Sequence, residues 1–255
     1  MSYAATRASS TDIWAYDRAR AMIRIISHTA LSGFSGPGIT VRDHFRMTPE
    51  NEGGPHYRLG PLRTLADTTI EGHAGFPMHA HRDMEIVSYI CEGTLSHEDT
   101  LGNHGRLGPG DVQVMTTGTG ILHSEVNEEE AGVRMYQLWI LPETPGLDPG
   151  YVDSIRPKDS APDCLCVLAS GMASRPGGAP IHQNAAVLGA DLETGNSVRV
   201  DLAPGRQAYV LTANGRVSLD GVELALRDGA VVDDVEAFSI TAIDDSDVLV
   251  IDLPH

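Results

Sequence analysis

Residues 75–93 read GFPMHAHRDMEIVSYICEG. Two imidazoles, His79 and His81, stand one residue apart, and an apolar, β-branched run then leads to a glycine turn. In a strand the side chains at i and i+2 leave the same face, so these two imidazoles point together. Short runs of the same kind follow: IVSYICEG, GDVQVMTTG and VRMYQLWILP, separated by the turn signals LGNHG and LGPGD. Helix-like repeats are few, and 27 Gly and 15 Pro punctuate the chain. The pattern predicts an all-β protein.

Working outward, the first 20 or so residues read as an extension, with AYDRARAMIRII (15–26) as a candidate short helix ahead of the first strand. Residues 33–60 read as a covering loop around one strand, GITVRDHF. A segment dense in Pro, Gly and Asp, PETPGLDPGYVDSIRPKDSAPD (142–163), reads as a linker. The second half repeats the first weakly and in order. EGTLSHED (92–99) resembles NGRVSLDG (214–221), PGDVQVM (109–115) resembles RDGAVVD (227–233), and RMYQLWILP (134–142) resembles SDVLVIDLP (246–254). We expect two related β-domains: residues 1–146 with the extension, and 147–255 with the linker.

The chain of 255 residues is long enough for two cores. Its formal charge is −17, spread over both halves, at −7 up to residue 146 and −10 beyond it. It has a single lysine, Lys158. Phosphate binding needs clustered Lys and Arg, so direct nucleic-acid binding and docking on an anionic membrane are not expected. The three cysteines, Cys91, Cys164 and Cys166, form no spaced framework. They read as buried thiols of a reducing compartment. No run approaches the roughly 18 apolar residues of a membrane span, and the N-terminus lacks a signal-peptide pattern. A cytoplasmic protein is expected.

A second pair of ligand-type side chains lies in MTTGTGILHSEVN (115–127), where His123 and Glu125 are again i and i+2. If the two strands face one another, three imidazoles and one carboxylate converge. That set suits a divalent transition metal such as Fe(II), Mn, Ni, Cu or Zn, with positions left over on a six-coordinate ion. Glu85 shares the strand parity of His79 and His81. It is expected near the site, as an outer acceptor fixing an imidazole tautomer or as a ligand. His97, on the next strand, reads as a surface or core histidine, with approach to the cavity as the alternative. Shifted by the repeat offsets, His79 and His81 fall on Asp201 and Ala203, and His123 and Glu125 fall near Phe238 and Ile240. The second half therefore has no equivalent site. Its only interior histidine, His182, reads as a surface or hydrogen-bonded residue.

These residues carry a resemblance. HAHRDME, with a glycine eight residues later, then GDVQVM and HSEVN, resemble the two cupin motifs. More closely, GFPMHAHRDMEIVSYICEGTLSHEDTLGN followed by GTGILHSE resembles the pirin family, and most of all its bacterial quercetinase-like members. The resemblance implies a bicupin of two jelly-roll barrels, monomeric, with one metal in the first. Its four ligands would be His79, His81, His123 and Glu125. Fe(II) is the implied ion, with Mn, Ni, Cu, Co or Zn as alternatives. It implies quercetin 2,3-dioxygenase activity, in which O₂ opens a flavonol ring with release of carbon monoxide, and Glu125 or Glu85 accepts the substrate's hydroxyl proton. Two other readings stand beside it: a metal-dependent redox sensor that binds a protein partner, as eukaryotic pirins do, and a cupin isomerase or metal store.

Overall fold

A computed structural model describes residues 22–154 and 163–255. Among them the regular secondary structure is nearly all strand; its only helical pieces are two single 3₁₀ turns. The strands form two copies of one arrangement, each a seven-stranded sheet with a four-stranded sheet.

In the first half the large sheet runs, in spatial order, Gly150–Ser154, Val112–Thr116, Glu85–Glu92, Val133–Ile140, Leu62–Ile70, Ile39–Arg46 and Gly33–Gly36. Its small sheet runs Gly75–His81, Ile121–Val126, Leu95–Asp99 and His104–Leu107. In the second half the large sheet runs Met22–Ile26, Gly229–Asp233, Arg206–Asn214, Ser246–Pro254, Ala186–Leu192, Cys166–Ser170 and Ala179–Pro180. Its small sheet runs Ser197–Asp201, Ala237–Ala242, Val217–Leu219 and Val222–Leu224. The repeat read from sequence is kept here: Val133–Ile140 and Ser246–Pro254 occupy the same place in their sheets, as do Val112–Thr116 and Gly229–Asp233.

The two large sheets share the largest apolar cluster. Val87, Tyr89, Tyr136 and Leu138 from the first pack with Tyr209, Leu211, Leu249 and Ile251 from the second. This explains why central strands such as EIVSYICE are buried nearly throughout: one face looks into its own barrel and the other at the partner sheet, so both must be apolar or hydrogen-bonded. Polar ties cross the same junction. Arg227 donates to the fully buried Asp67 at 2.6 Å, Arg134 donates to the Ala213 carbonyl at 2.9 Å, and His44 Nδ1 lies 2.7 Å from the Tyr209 hydroxyl.

Two segments sit elsewhere than their place in the chain predicts. Met22–Ile26 is a strand, and it pairs with Gly229–Asp233 of the second half. The part of the candidate helix before it lies outside the described residues. Gly150–Ser154, read as linker, pairs with Val112–Thr116 and extends the first half's large sheet. Of the cysteines, Cys164 is exposed, while Cys91 and Cys166 are half-buried against the shared core.

The interiors of the two barrels differ. The second is filled by Val198, Val200, Val210, Phe238, Ile240 and their neighbours. The first is apolar only at its two ends, around Ile70, Ile90 and Leu95 and around Ile86, Met115 and Ile121. Between those ends lie Ser88, Gln113, His123, Glu125 and Gln137.

Candidate metal centre

His79 and His81 come from the edge strand Gly75–His81, and His123 and Glu125 from its neighbour Ile121–Val126. The register sets His123 opposite His79 and Ile121 opposite His81. Glu125 lies opposite Phe76, so Ser124 alone faces the two residues Pro77 and Met78. The extra residue is a β-bulge, and Pro77 sits in it, where a missing N–H is tolerated. Gly75 is required beside the bulge: a Cβ there would lie 2.5 Å from the Glu125 carbonyl oxygen.

The bulge leaves the Pro77 carbonyl free to accept a hydrogen bond from His79 Nδ1 at 2.8 Å. That bond fixes the His79 tautomer and leaves the Nε2 lone pair for the interior. The three rings gather closely, with centroids 4.4 Å apart for His79 and His123, 4.8 Å for His79 and His81, and 5.1 Å for His81 and His123. The donor atoms of His79, His81 and His123 all lie within 4.8 Å of one another. A second such group overlaps it, made of His97, His123 and Glu125.

Burial, and after it the neighbouring His79, lower the pKa of His81 to about 4; burial and the surrounding imidazoles lower that of His123 to about 3. Both rings are therefore neutral at physiological pH, the form that ligates metals. Burial pushes the Glu125 carboxyl up, against hydrogen bonds that favour its charge. Gln137 Nε2 donates to both its oxygens, at 3.0 and 2.8 Å, with Ser88 and Gln113 at 3.4 and 3.5 Å. Trp139 Nε1 in turn donates to Gln137 Oε1 at 3.0 Å, which fixes the amide with its NH₂ toward the carboxylate.

Several nitrogens here are buried without a hydrogen-bond partner: His81 Nε2 and both nitrogens of His123. Such orphans are rare and mark a missing ligand or water. Neutral imidazoles with unshared lone pairs beside a carboxylate form a donor set for a divalent transition ion, so the residues present fit a metal.

Glu85 is not part of this gathering. Its strand parity with His81 is broken at Asp83, whose φ of 51° turns the chain from the small sheet into the large one. The fully buried Glu85 carboxylate leaves the opposite face of that sheet, where Thr116 Oγ1 donates to it at 2.9 Å and His182 Nδ1 lies 3.5 Å away. His182 is thus hydrogen-bonded and half-exposed, as its sequence context predicts. Sequence reading undervalued His97, which is fully buried and directly opposite Glu125. Its signal was parity with Asp99 across a strand that pairs with HSE.

A cleft of about 440 Å³ opens onto His79, His81 and Glu125. Phe34, Val41, Met47, Phe76 and Trp139 give it apolar walls, and Asp43 and Arg46 lie along it. The Trp139 ring meets His81 edge-on at 4.8 Å.

The family model described as Pirin matches residues 35–140, and that of the quercetinase C-terminal cupin domain matches 167–253. The chain belongs to the pirin family. It is 42% identical over 220 residues to a provisionally named quercetin 2,3-dioxygenase of Zymomonas mobilis, across 86% of this chain and 93% of that protein. It is 37% identical to the quercetin 2,3-dioxygenase of Escherichia coli K12, across 76% and 82%. The crystal structure of the bacterial pirin YhhW from Escherichia coli, in complex with nickel(II), superposes with a TM-score of 0.83 at 30% identity, over 91% of this chain and 99% of that one. The two barrels are thus the two cupin domains of a pirin. Among the described residues no helix is long and apolar enough to cross a membrane.

Proposed function

We propose that the protein is a metal-dependent dioxygenase that opens a flavonol-like ring with O₂, with His79, His81, His123 and Glu125 as the ligands of one divalent transition metal, Fe(II) first among the candidates. The observations that support this reading are the gathering of His79, His81 and His123, a second group holding Glu125 that shares His123, and an apolar cleft that opens onto His79, His81 and Glu125. Relatives at 37–42% identity bearing the quercetin 2,3-dioxygenase name support the substrate class.

When bound, the ion supplies a Lewis acid with positions left for substrate and O₂. The chain's own residues do the rest. Phe76 and Trp139 provide flat apolar faces for an aromatic ring system. Asp43 and Arg46 offer polar partners to the hydroxyl groups of its rim. Glu125, raised by burial and reaching the cleft, accepts the substrate's hydroxyl proton on a carboxylate oxygen. Gln137 holds that carboxylate in place through both oxygens. Glu85, on the far face of the sheet, has no role in this scheme.

The test is O₂ uptake by metal-loaded protein on adding quercetin. Uptake matched to loss of quercetin, abolished in Glu125→Gln, supports the proposal. A protein that holds its metal but consumes no O₂ with quercetin would refute the flavonol reading.

A further inference from the structure

We propose that Arg58 and Arg63 form a binding site for a small oxyanion, a phosphate or carboxylate group, in a second cleft where the two halves of the chain meet.

The two arginines flank a tight hairpin. Leu59 and Leu62 exchange backbone hydrogen bonds at 3.0 and 2.9 Å around Gly60 and Pro61, and both leucines pack into the core shared by the two large sheets. Arg58 and Arg63 are the next residues on the two arms, and both line one cleft of about 600 Å³. Like charges brought opposite each other repel. Burial, and after it the Arg58 charge, lowers the pKa of Arg63. The hairpin is pinned in this position. Gly60, at φ 52°, lies against the second half, where a Cβ would come 2.3 Å from the Pro254 carbonyl oxygen.

Carboxylates are in surplus in a chain of formal charge −17. Arginines elsewhere take them up: Arg134 with Glu92, Arg206 with Asp252, Arg216 with Asp244 and Arg227 with Asp67. Among the described residues neither Arg58 nor Arg63 has such a partner. Arg63 is half-buried, and its Nε–H is buried with no acceptor. An arginine kept only for solubility would lie in water, and would not hold an unmet buried donor beside a like charge.

The rest of the cleft fits an anion. Glu143 is its one acidic side chain among the described residues, and it pairs with neither arginine. His255 also lines it and lies 3.2 Å from Asp233. Gln183 and Gln207, from the second half, line it as well, and their amides donate to the Leu141 and Pro254 carbonyls at 2.8 and 3.1 Å. The two guanidiniums are thus the main donors left for a ligand. Their planar forks match the oxygens of a carboxylate or phosphate, and an anion between them replaces repulsion by two attractions.

Calorimetric titration of the full chain with inorganic phosphate, and separately with malonate, tests this at fixed ionic strength in chloride. At least one of the two is expected to bind saturably, one per chain, and to bind about tenfold or more weakly in both Arg58→Gln and Arg63→Gln. Which of them binds tells a phosphate site from a carboxylate site. Arg58 is exposed, so its replacement leaves the core untouched. A second readout needs no variant: the Nε–H resonance of Arg63 in ¹⁵N-arginine-labelled wild type is expected to shift along the same titration. If neither anion saturates, if both variants bind as tightly as wild type, or if binding leaves the Arg63 resonance in place, the inference is overturned.

Discussion

His79 and His123 stand directly opposite one another on adjacent antiparallel strands, with ring centroids 4.4 Å apart. Both nitrogens of His123 are buried and unpartnered. An imidazole kept in that condition costs stability in the metal-free protein. His123→Leu should therefore leave the unfolding free energy of the metal-free protein unchanged or raise it by about 1 kcal/mol, since a polar group without a partner is replaced by an apolar one. The same variant should bind Ni(II) at least about a hundredfold more weakly, as expected for loss of a shared ligand. Denaturant melts and metal titration check both halves. A metal-free variant several kcal/mol less stable would show that His123 is already satisfied without metal.

Acid should destabilise the metal-free protein before most carboxylates titrate. His44 and His123 have pKa values lowered to about 3, and His81 to about 4, in each case chiefly by burial. In the unfolded chain an imidazole titrates near 6.5. Below that pH the unfolded state takes up protons that the fold refuses. The contribution is thus fully present above about pH 6.5 and is lost progressively toward pH 3–4. Melting temperatures measured between pH 8 and 4 should fall from about 6.5 downward. A flat profile across pH 6.5 to 4.5 would show that these rings protonate freely in the fold.

A buried ion pair is one of the ties across the junction of the two halves. Asp67 is fully buried and Arg227 donates to it at 2.6 Å from across the junction. Removing one partner strands a buried charge, so Arg227→Ala should cost about 3 kcal/mol or more. Replacing both with Asp67→Leu and Arg227→Met should cost much less. A double-mutant cycle by chemical denaturation measures this coupling. A double variant whose loss equals the sum of the losses in Asp67→Leu and Arg227→Met alone would mean that the pair contributes nothing of its own.

Much of the fold was legible because its cause is local. Alternation and turn residues mark strands wherever one face is buried, and the internal repeat marks two like barrels. The two pairs of proposed ligands were legible because i and i+2 parity survives on each strand: the bulge at Pro77 lies before His79, so His79 and His81 stay in phase. The parity argument failed for Glu85, since Asp83 takes the chain into another sheet. Met22–Ile26 was not legible as a strand of the second half. Its partner Gly229–Asp233 lies some two hundred residues away, and pairing across such a distance leaves no periodic trace. His97 was legible only as a surface or core histidine for a related reason: its surroundings come from Asp99, Tyr151 and Glu125 meeting in space. Phe238 and Ile240, near which the repeat offset sets the second-half counterparts of His123 and Glu125, lie in that barrel's apolar core.

In the function proposed above, His79, His81, His123 and Glu125 hold one metal ion per chain, and the apolar second barrel holds none. The most direct measurement is metal content per chain, by mass spectrometry of the elements, after reconstitution with Fe(II) or Ni(II) and removal of loose ions. The account predicts one equivalent in wild type and almost none in His79→Ala or His123→Leu. An empty wild type, or a full equivalent retained in both variants, would contradict it.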